Sequence, residues 1–149
     1  MIADLHDLYQ EVIVDHGRRP RNFGSLPEAS HRAEGFNPLC GDHLNLQLKV
    51  VDGIIQDIRF DGVGCAISTA SASLMSEALK GRSVAEAETL FDSFHAMLTG
   101  DQPESPPDLG KLAVLAGVRK FPARVKCATL AWHTLLAALH QAQQPVTTE

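Results

Sequence analysis

HLNLQLKVVDGIIQDIRFD, residues 43–61, alternates apolar and polar side chains on either side of an Asp-Gly pair. Leu44, Leu46, Leu48 and Val50 fall on one side of an extended chain and Asn45, Gln47 and Lys49 on the other, the period of a strand with one buried face. Asp52-Gly53 is a hairpin turn by composition, since both central positions of the favoured turn need a left-handed backbone. The chain therefore returns as a second strand from Ile54 to Asp61. Gly62 to Ile67 would then make a short third strand.

Outward from this hairpin the period changes. STASASLMSEALKG, residues 68–81, is rich in Ala and Leu and closes on Gly81, as a helix does. Ser83 and Glu86 have the spacing of a capping box ahead of Leu90, Phe91, Phe94, Met97 and Leu98, which predicts a helix ending at Gly100. DQPESPPD, 101–108, reads as a loop, LGKLAVLAGV as a short helix, and Pro122 as the turn into a long final helix carrying Cys127 in its first turns. Before the hairpin, Leu5, Leu8, Tyr9, Val12, Ile13 and His16 make one stripe of a helix ending before Gly17. From about 17 to 39 the glycines and prolines show no sustained period, which predicts a long ordered connection. The last residues, 144–149, are expected to fray.

With 149 residues the chain has the size of one domain, 1–149. A net charge of -5 argues against a nucleic-acid partner. No apolar run is long enough for a membrane span. MIADLHDLYQEV lacks the basic and apolar regions of a secretory signal, so a cytoplasmic location and reduced thiols are expected for the three cysteines.

Those thiols are the chemical content of the sequence. In NPLCGD, residues 37–42, Cys40 and Asp42 stand two apart. In an extended segment such residues point to the same side, with Gly41 leaving the backbone room to bend. Cys65 arrives from the end of the sheet and Cys127 from a helix start, giving four candidate ligands from three elements. Three thiolates and a carboxylate suit tetrahedral zinc. Spacing alone describes three small buried thiols equally well, because no CxxC pair is present. The Gly-Asp pair alone is commonest as a turn into a strand.

LYQEVIVDHGRRPRNFG, NPLCGDHLNLQL, FDGVGCAISTASASLM and GVRKFPARVKCATLAWHTL are similar to motifs of the IscU/NifU-N-terminal family of iron-sulfur cluster assembly proteins, in the same order and from about Leu8 to Leu139. The closer resemblance is to the SufU branch. It implies an α+β fold, a small antiparallel β-sheet packed by helices with the site at one end, and Cys40, Asp42, Cys65 and Cys127 at the metal-ligand positions. In the scaffold branch a histidine normally precedes the last cysteine, where this chain has Lys126. The segment GRSVAEAETLFDSFHAMLTGDQPESPPDLGKL resembles the region added in the SufU branch.

The resemblance further implies a zinc-dependent sulfurtransferase. Cys40 would accept persulfide sulfur from a cysteine desulfurase that contains pyridoxal phosphate (SufS-like), for delivery to an iron-sulfur scaffold such as a SufBCD-type complex. A free thiol near pKa 8.5 is only about 3% ionised at pH 7, and zinc removes that restriction by holding the thiolate. Arg124 matches a basic residue near the metal in SufU-like proteins, where its fork of donors could hold Asp42 or a displaced thiolate. Arg18, Arg19, Arg21, Arg119 and Lys120 could form a basic docking rim, or simply solvate the surface. Two alternatives use the same ligands: a scaffold for a transient iron-sulfur cluster, and a module whose zinc is structural. His43 is expected to point away from the ligand face, His133 and His140 to the surface or a partner, and Trp132 and Phe121 to pack around the Cys127 segment.

Overall fold

The computed structural model describes residues 2–100, 107–141 and 145–148, with the backbone alone for 2–9 and 107–108. Helix α1 (Ile2–Arg18) leads to strand β1 (His31–Asn37), then β2 (Asp42–Val51) and β3 (Ile54–Val63). Helices α2 (Ala66–Leu79) and α3 (Val84–Thr99), a 3₁₀ segment (Pro107–Lys120), helix α4 (Pro122–Leu139) and the short β4 (Val146–Thr147) follow. The sheet order is β3-β2-β1-β4, antiparallel except that β4 runs parallel to β1. The α+β class expected from the sequence is the class observed.

The β2–β3 hairpin forms as its pattern dictates. Asp52 and Gly53 both have positive φ, 53° and 75°, the backbone of the tight turn that matches strand twist. Leu44, Leu46 and Leu48 are buried, with Ile55, Ile58 and Phe60 beside them from β3. No separate third strand follows. Gly62 ends the regular alternation with φ 129°, where a Cβ would sit 2.0 Å from the His43 carbonyl oxygen, and the chain enters α2 at Ala66.

The connection expected over 17–39 contains a strand. Helix α1 continues to Arg18, one residue past the expected glycine stop, and β1 occupies 31–37. HRAEGFN lacks an apolar alternation; its strand character comes from pairing with β2 along its whole length, His31 opposite Leu48 to Asn37 opposite Asp42. Gly35 lets this strand lie against α4, because a Cβ there would come within 2.1 Å of Thr134 Oγ1. At the other end of the chain Val146 and Thr147 pair with Gly35 and Phe36 rather than fraying, and the Thr148 N–H donates to the Phe36 carbonyl at 3.0 Å. Residues 144 and 149 of the expected tail, and the loop through residue 106, lie outside the described residues.

Helices α2 and α4 pack on the sheet, α3 and the 3₁₀ segment pack against those helices, and all of them join a single apolar cluster. Trp132 is fully buried, its ring stacked on Phe94 with centroids 4.7 Å apart. The Ser/Ala-rich α2 is buried on most sides, and its serines hold the neighbours. Ser71 Oγ donates to the Ala128 carbonyl at 2.6 Å, tying α2 to α4. Ser73 Oγ accepts from the Arg21 N–H at 2.8 Å and meets His16 Nδ1 at 2.7 Å, tying α2 to the end of α1. Small side chains permit that approach, and hydrogen bonding meets the cost of burying their hydroxyls. The capping box at Ser83 and Glu86 forms in both directions. Phe121, expected to pack, is exposed instead, because it caps α4 from outside the core.

Candidate metal centre

Three chain segments converge at the β1–β2 end of the sheet. Residues 38–41 make the turn between these strands, closed by the Cys40 N–H donating to the Asn37 carbonyl at 3.2 Å. Gly41 adopts φ 73° with open space where a Cβ would be, so glycine serves the backbone conformation here rather than close packing. Cys40 and Asp42 are thus brought together by a turn. The strand alternation expected from their spacing is not the cause, since Cys40 precedes the strand.

Asp42 opens β2 and is 2% exposed. Its Oδ1 accepts the Cys65 N–H at 2.9 Å. Oδ2 is buried with no hydrogen-bond partner. Cys65 is the N-cap of α2, its sulfur accepting the Ser68 N–H at 3.4 Å as capping side chains do. Cys127 arrives on the second turn of α4, which Pro122 starts, and is fully buried. Its Sγ lies 3.1 Å from Cys40 Sγ and accepts from Asn37 Nδ2 at 3.4 Å.

Ligand atoms of Cys40, Asp42 and Cys127 all lie within 4.8 Å of one another. The Cys65 sulfur is outside that set, although it is near enough to act on Cys127. Burial, then hydrogen bonding with Cys40 and Cys65, then the charges of Cys65 and Asp42 push the Cys127 thiol well above its usual range. The exposed Arg124 faces the same cluster. Its guanidinium is favoured in the charged form first by Cys65, then by a hydrogen bond to Cys127, and last by Cys40.

The donor set fits a metal ion. A buried carboxylate oxygen with no donor to meet it is costly, and a cation between Asp42 Oδ2 and the neighbouring sulfurs would satisfy it. Two sulfurs and one carboxylate oxygen from three elements can bind zinc or iron, with Cys65 next to them as a further sulfur.

Histidines are absent from this cluster among the described residues. His43 points to the other face of the sheet, stacked on Phe36 and paired with Glu34 at 2.9 Å. His133 is half-buried between α3 and α4 against Phe91 and His95, while His140 pairs with Glu88. Three of the candidate rim cations are engaged elsewhere. Arg21 and Arg19 pair with Asp15 at 2.6 and 4.0 Å, and Arg119 donates to the Gly100 carbonyl at 2.5 Å. Asn37 escaped the sequence reading, although it opens the same NPLCGD stretch. Its one signal was its place, five residues before Asp42, which the hairpin turns into direct opposition.

Comparison with known proteins agrees with this geometry. Residues 8–141 match the family described as the NifU-like N terminal domain. The zinc-dependent sulfurtransferase SufU of Bacillus subtilis is 44% identical over 133 residues, covering 89% of this chain and 90% of that protein. The iron-sulfur cluster assembly scaffold protein IscU of Streptococcus pyogenes is 43% identical over 138 residues, 93% of this chain and 86% of that one. A crystal structure from Fervidobacterium islandicum, described as an iron-sulfur cluster assembly scaffold protein for the SUF system, superposes with a TM-score of 0.83. It is 34% identical and covers 90% of this chain and 98% of that one. By sequence and by fold the chain belongs to the NifU-like N-terminal domain (IscU) family of iron-sulfur cluster assembly proteins.

Proposed function

We propose that this protein is a zinc-dependent sulfur carrier of the SufU type: a single domain, 1–149, acting in the cytoplasm. It would accept persulfide sulfur on Cys40 from a cysteine desulfurase carrying pyridoxal phosphate and pass it to a SufBCD-type scaffold. The observation that carries this reading is the inequality of the clustered thiols. Cys127 is fully buried, whereas Cys40 sits half-buried on a turn, where a partner's persulfide can reach it.

Cys40, Asp42 and Cys127 would hold the zinc, with Cys65 as the fourth donor. Bound zinc would keep these thiols ionised at neutral pH. The Cys40 thiolate attacks the outer sulfur of the desulfurase persulfide. The new S–S bond forms as the old one breaks, and its electron pair leaves on the desulfurase cysteine as thiolate. One persulfide is consumed and one is made, so no oxidant is needed. Arg124, exposed beside the thiols, supplies a fixed positive charge to whichever sulfur carries the anion.

Mass spectrometry after incubation with desulfurase and cysteine should find an added sulfur on Cys40. Its appearance only on Cys65 or Cys127 would refute the assignment. A second reading, assembly of a transient iron-sulfur cluster on the same residues, is favoured by the likeness to proteins named as IscU scaffolds. Anaerobic reconstitution with iron and sulfide followed by transfer to an apo-ferredoxin decides between them, because a sulfur carrier transfers no cluster. A purely structural zinc predicts a Cys40 inert to alkylation, at odds with its accessible place on the turn.

A further inference from the structure

We propose that Asn37 is a positioning residue that decides which cysteine of the cluster reacts, by donating a side-chain N–H to the Cys127 sulfur and so holding Cys127 as a ligand while Cys40 remains the nucleophile. The proposal rests on the sulfur-carrier reading above.

Asn37 is fully buried at the end of β1 and spends its hydrogen bonds on the cluster. Its carbonyl accepts the Cys40 N–H, shaping the turn, and its Nδ2 reaches Cys127 Sγ at 3.4 Å. The amide oxygen has no partner. A buried amide with half its capacity unused is unfavourable compared with an apolar side chain of the same shape. Core packing therefore gives no reason for an asparagine at this position. Its N–H toward the sulfur does.

The sulfurs differ in the donors they receive. Cys65 Sγ accepts the Ser68 N–H at the start of α2, and Cys127 Sγ accepts the buried Asn37 amide besides the exposed Arg124 guanidinium. Among the described residues no N–H donates to Cys40 Sγ. A hydrogen bond to a thiolate withdraws electron density from it and must be broken or strained when that sulfur attacks, so a bonded thiolate is the poorer nucleophile. Cys65 and Cys127 are restrained by N–H donors in this way, whereas Cys40 meets the Cys127 sulfur, at 3.1 Å, and no N–H among the described residues. Cys40 is half-buried on the β1–β2 turn, whereas Cys65 caps α2 and Cys127 is fully buried on α4.

The test needs no desulfurase, so its failure is separate from failure of the sulfur-transfer reading. Zinc-loaded protein is treated with limiting iodoacetamide and the modified cysteines are mapped by mass spectrometry. In the parent, Cys40 should be modified first and Cys127 last. In Asn37→Leu, which keeps the branched shape and removes the donor, Cys127 should be modified at least about tenfold faster than in the parent. Unchanged protection of Cys127 in a folded Asn37→Leu protein would overturn the proposal, leaving burial as the protector. A second readout uses the unmutated chain and holds even if the variant does not fold. With ¹¹³Cd in place of zinc, the Asn37 side-chain N–H proton should show a coupling to the metal through the N–H···S bond. An assigned Asn37 amide with no such coupling would equally overturn it.

Discussion

Asp42 divides its carboxylate between two tasks: Oδ1 receives the Cys65 N–H at 2.9 Å, Oδ2 is left buried and unmet, and a carboxylate oxygen lies within 4.8 Å of the Cys40 and Cys127 sulfurs. One residue thus joins the start of α2 to the sheet and presents a free oxygen to the cluster. Asp42→Asn can keep the first contact but loses the charge at the second. We expect the folded Asn variant to bind zinc more weakly by on the order of tenfold or more, measured by chelator competition. Parent-like affinity with an intact fold would remove Asp42 from the ligand set.

Gly64 lies directly behind that carboxylate. A Cβ at this position would stand 3.1 Å from Asp42 Oδ1 and 3.2 Å from Ser68 Oγ. Gly64→Ala should therefore displace Asp42 or the first turn of α2, lowering zinc affinity more than thermal stability. Loss of stability with unchanged zinc affinity would place the strain elsewhere.

The site also depends on how closely β1 approaches α4, because Cys40 follows one and Cys127 rides on the other. Gly35 permits that approach at Thr134 Oγ1. Gly35→Ala should cost about 1–3 kcal/mol by overpacking. Adding Thr134→Ala should recover part of the loss in urea unfolding, since it removes the atom in the way. Strictly additive effects of the two substitutions would contradict the contact.

Acid sensitivity should come in part from His16. Burial, followed by the Arg21 charge, lowers its pKa below the ordinary imidazole value, against the opposing pull of Glu77. The unfolded chain therefore takes up the proton first as pH falls. The stability linked to His16 is complete above about pH 6.5 and is lost below it, with a slope of at most ~1.4 kcal/mol per pH unit. His133, lowered by burial and by His95, acts in the same direction. His16→Gln should flatten the loss of stability between pH 7 and pH 5; an unchanged slope would assign the acid sensitivity to other groups.

Much of this molecule is legible in its sequence for physical reasons that can be named. The β2–β3 hairpin and the capping box at Ser83 are local patterns, and they form as read. β1 is not legible, because HRAEGFN becomes a strand only by pairing with a neighbour and by lodging Gly35 against α4. The same holds for β4, two residues long and defined only by its partner. At the site, the proximity of Cys40, Asp42 and Cys127 followed from motifs, whereas its cause, a left-handed Gly41 in a four-residue turn, did not follow from two-residue spacing. Asn37 was invisible for a further reason. Hydrogen bonding to a sulfur ninety positions away leaves no periodic trace in the chain.

The central claim is that Cys40 is the sulfur acceptor while the remaining ligands keep the metal. The most direct measurement is cysteine turnover by a cognate desulfurase in the presence of the parent protein and of Cys40→Ala, with zinc content determined on the same samples. The account predicts stimulation by the zinc-loaded parent and its loss in Cys40→Ala even where zinc is retained. Full stimulation by zinc-loaded Cys40→Ala would contradict it.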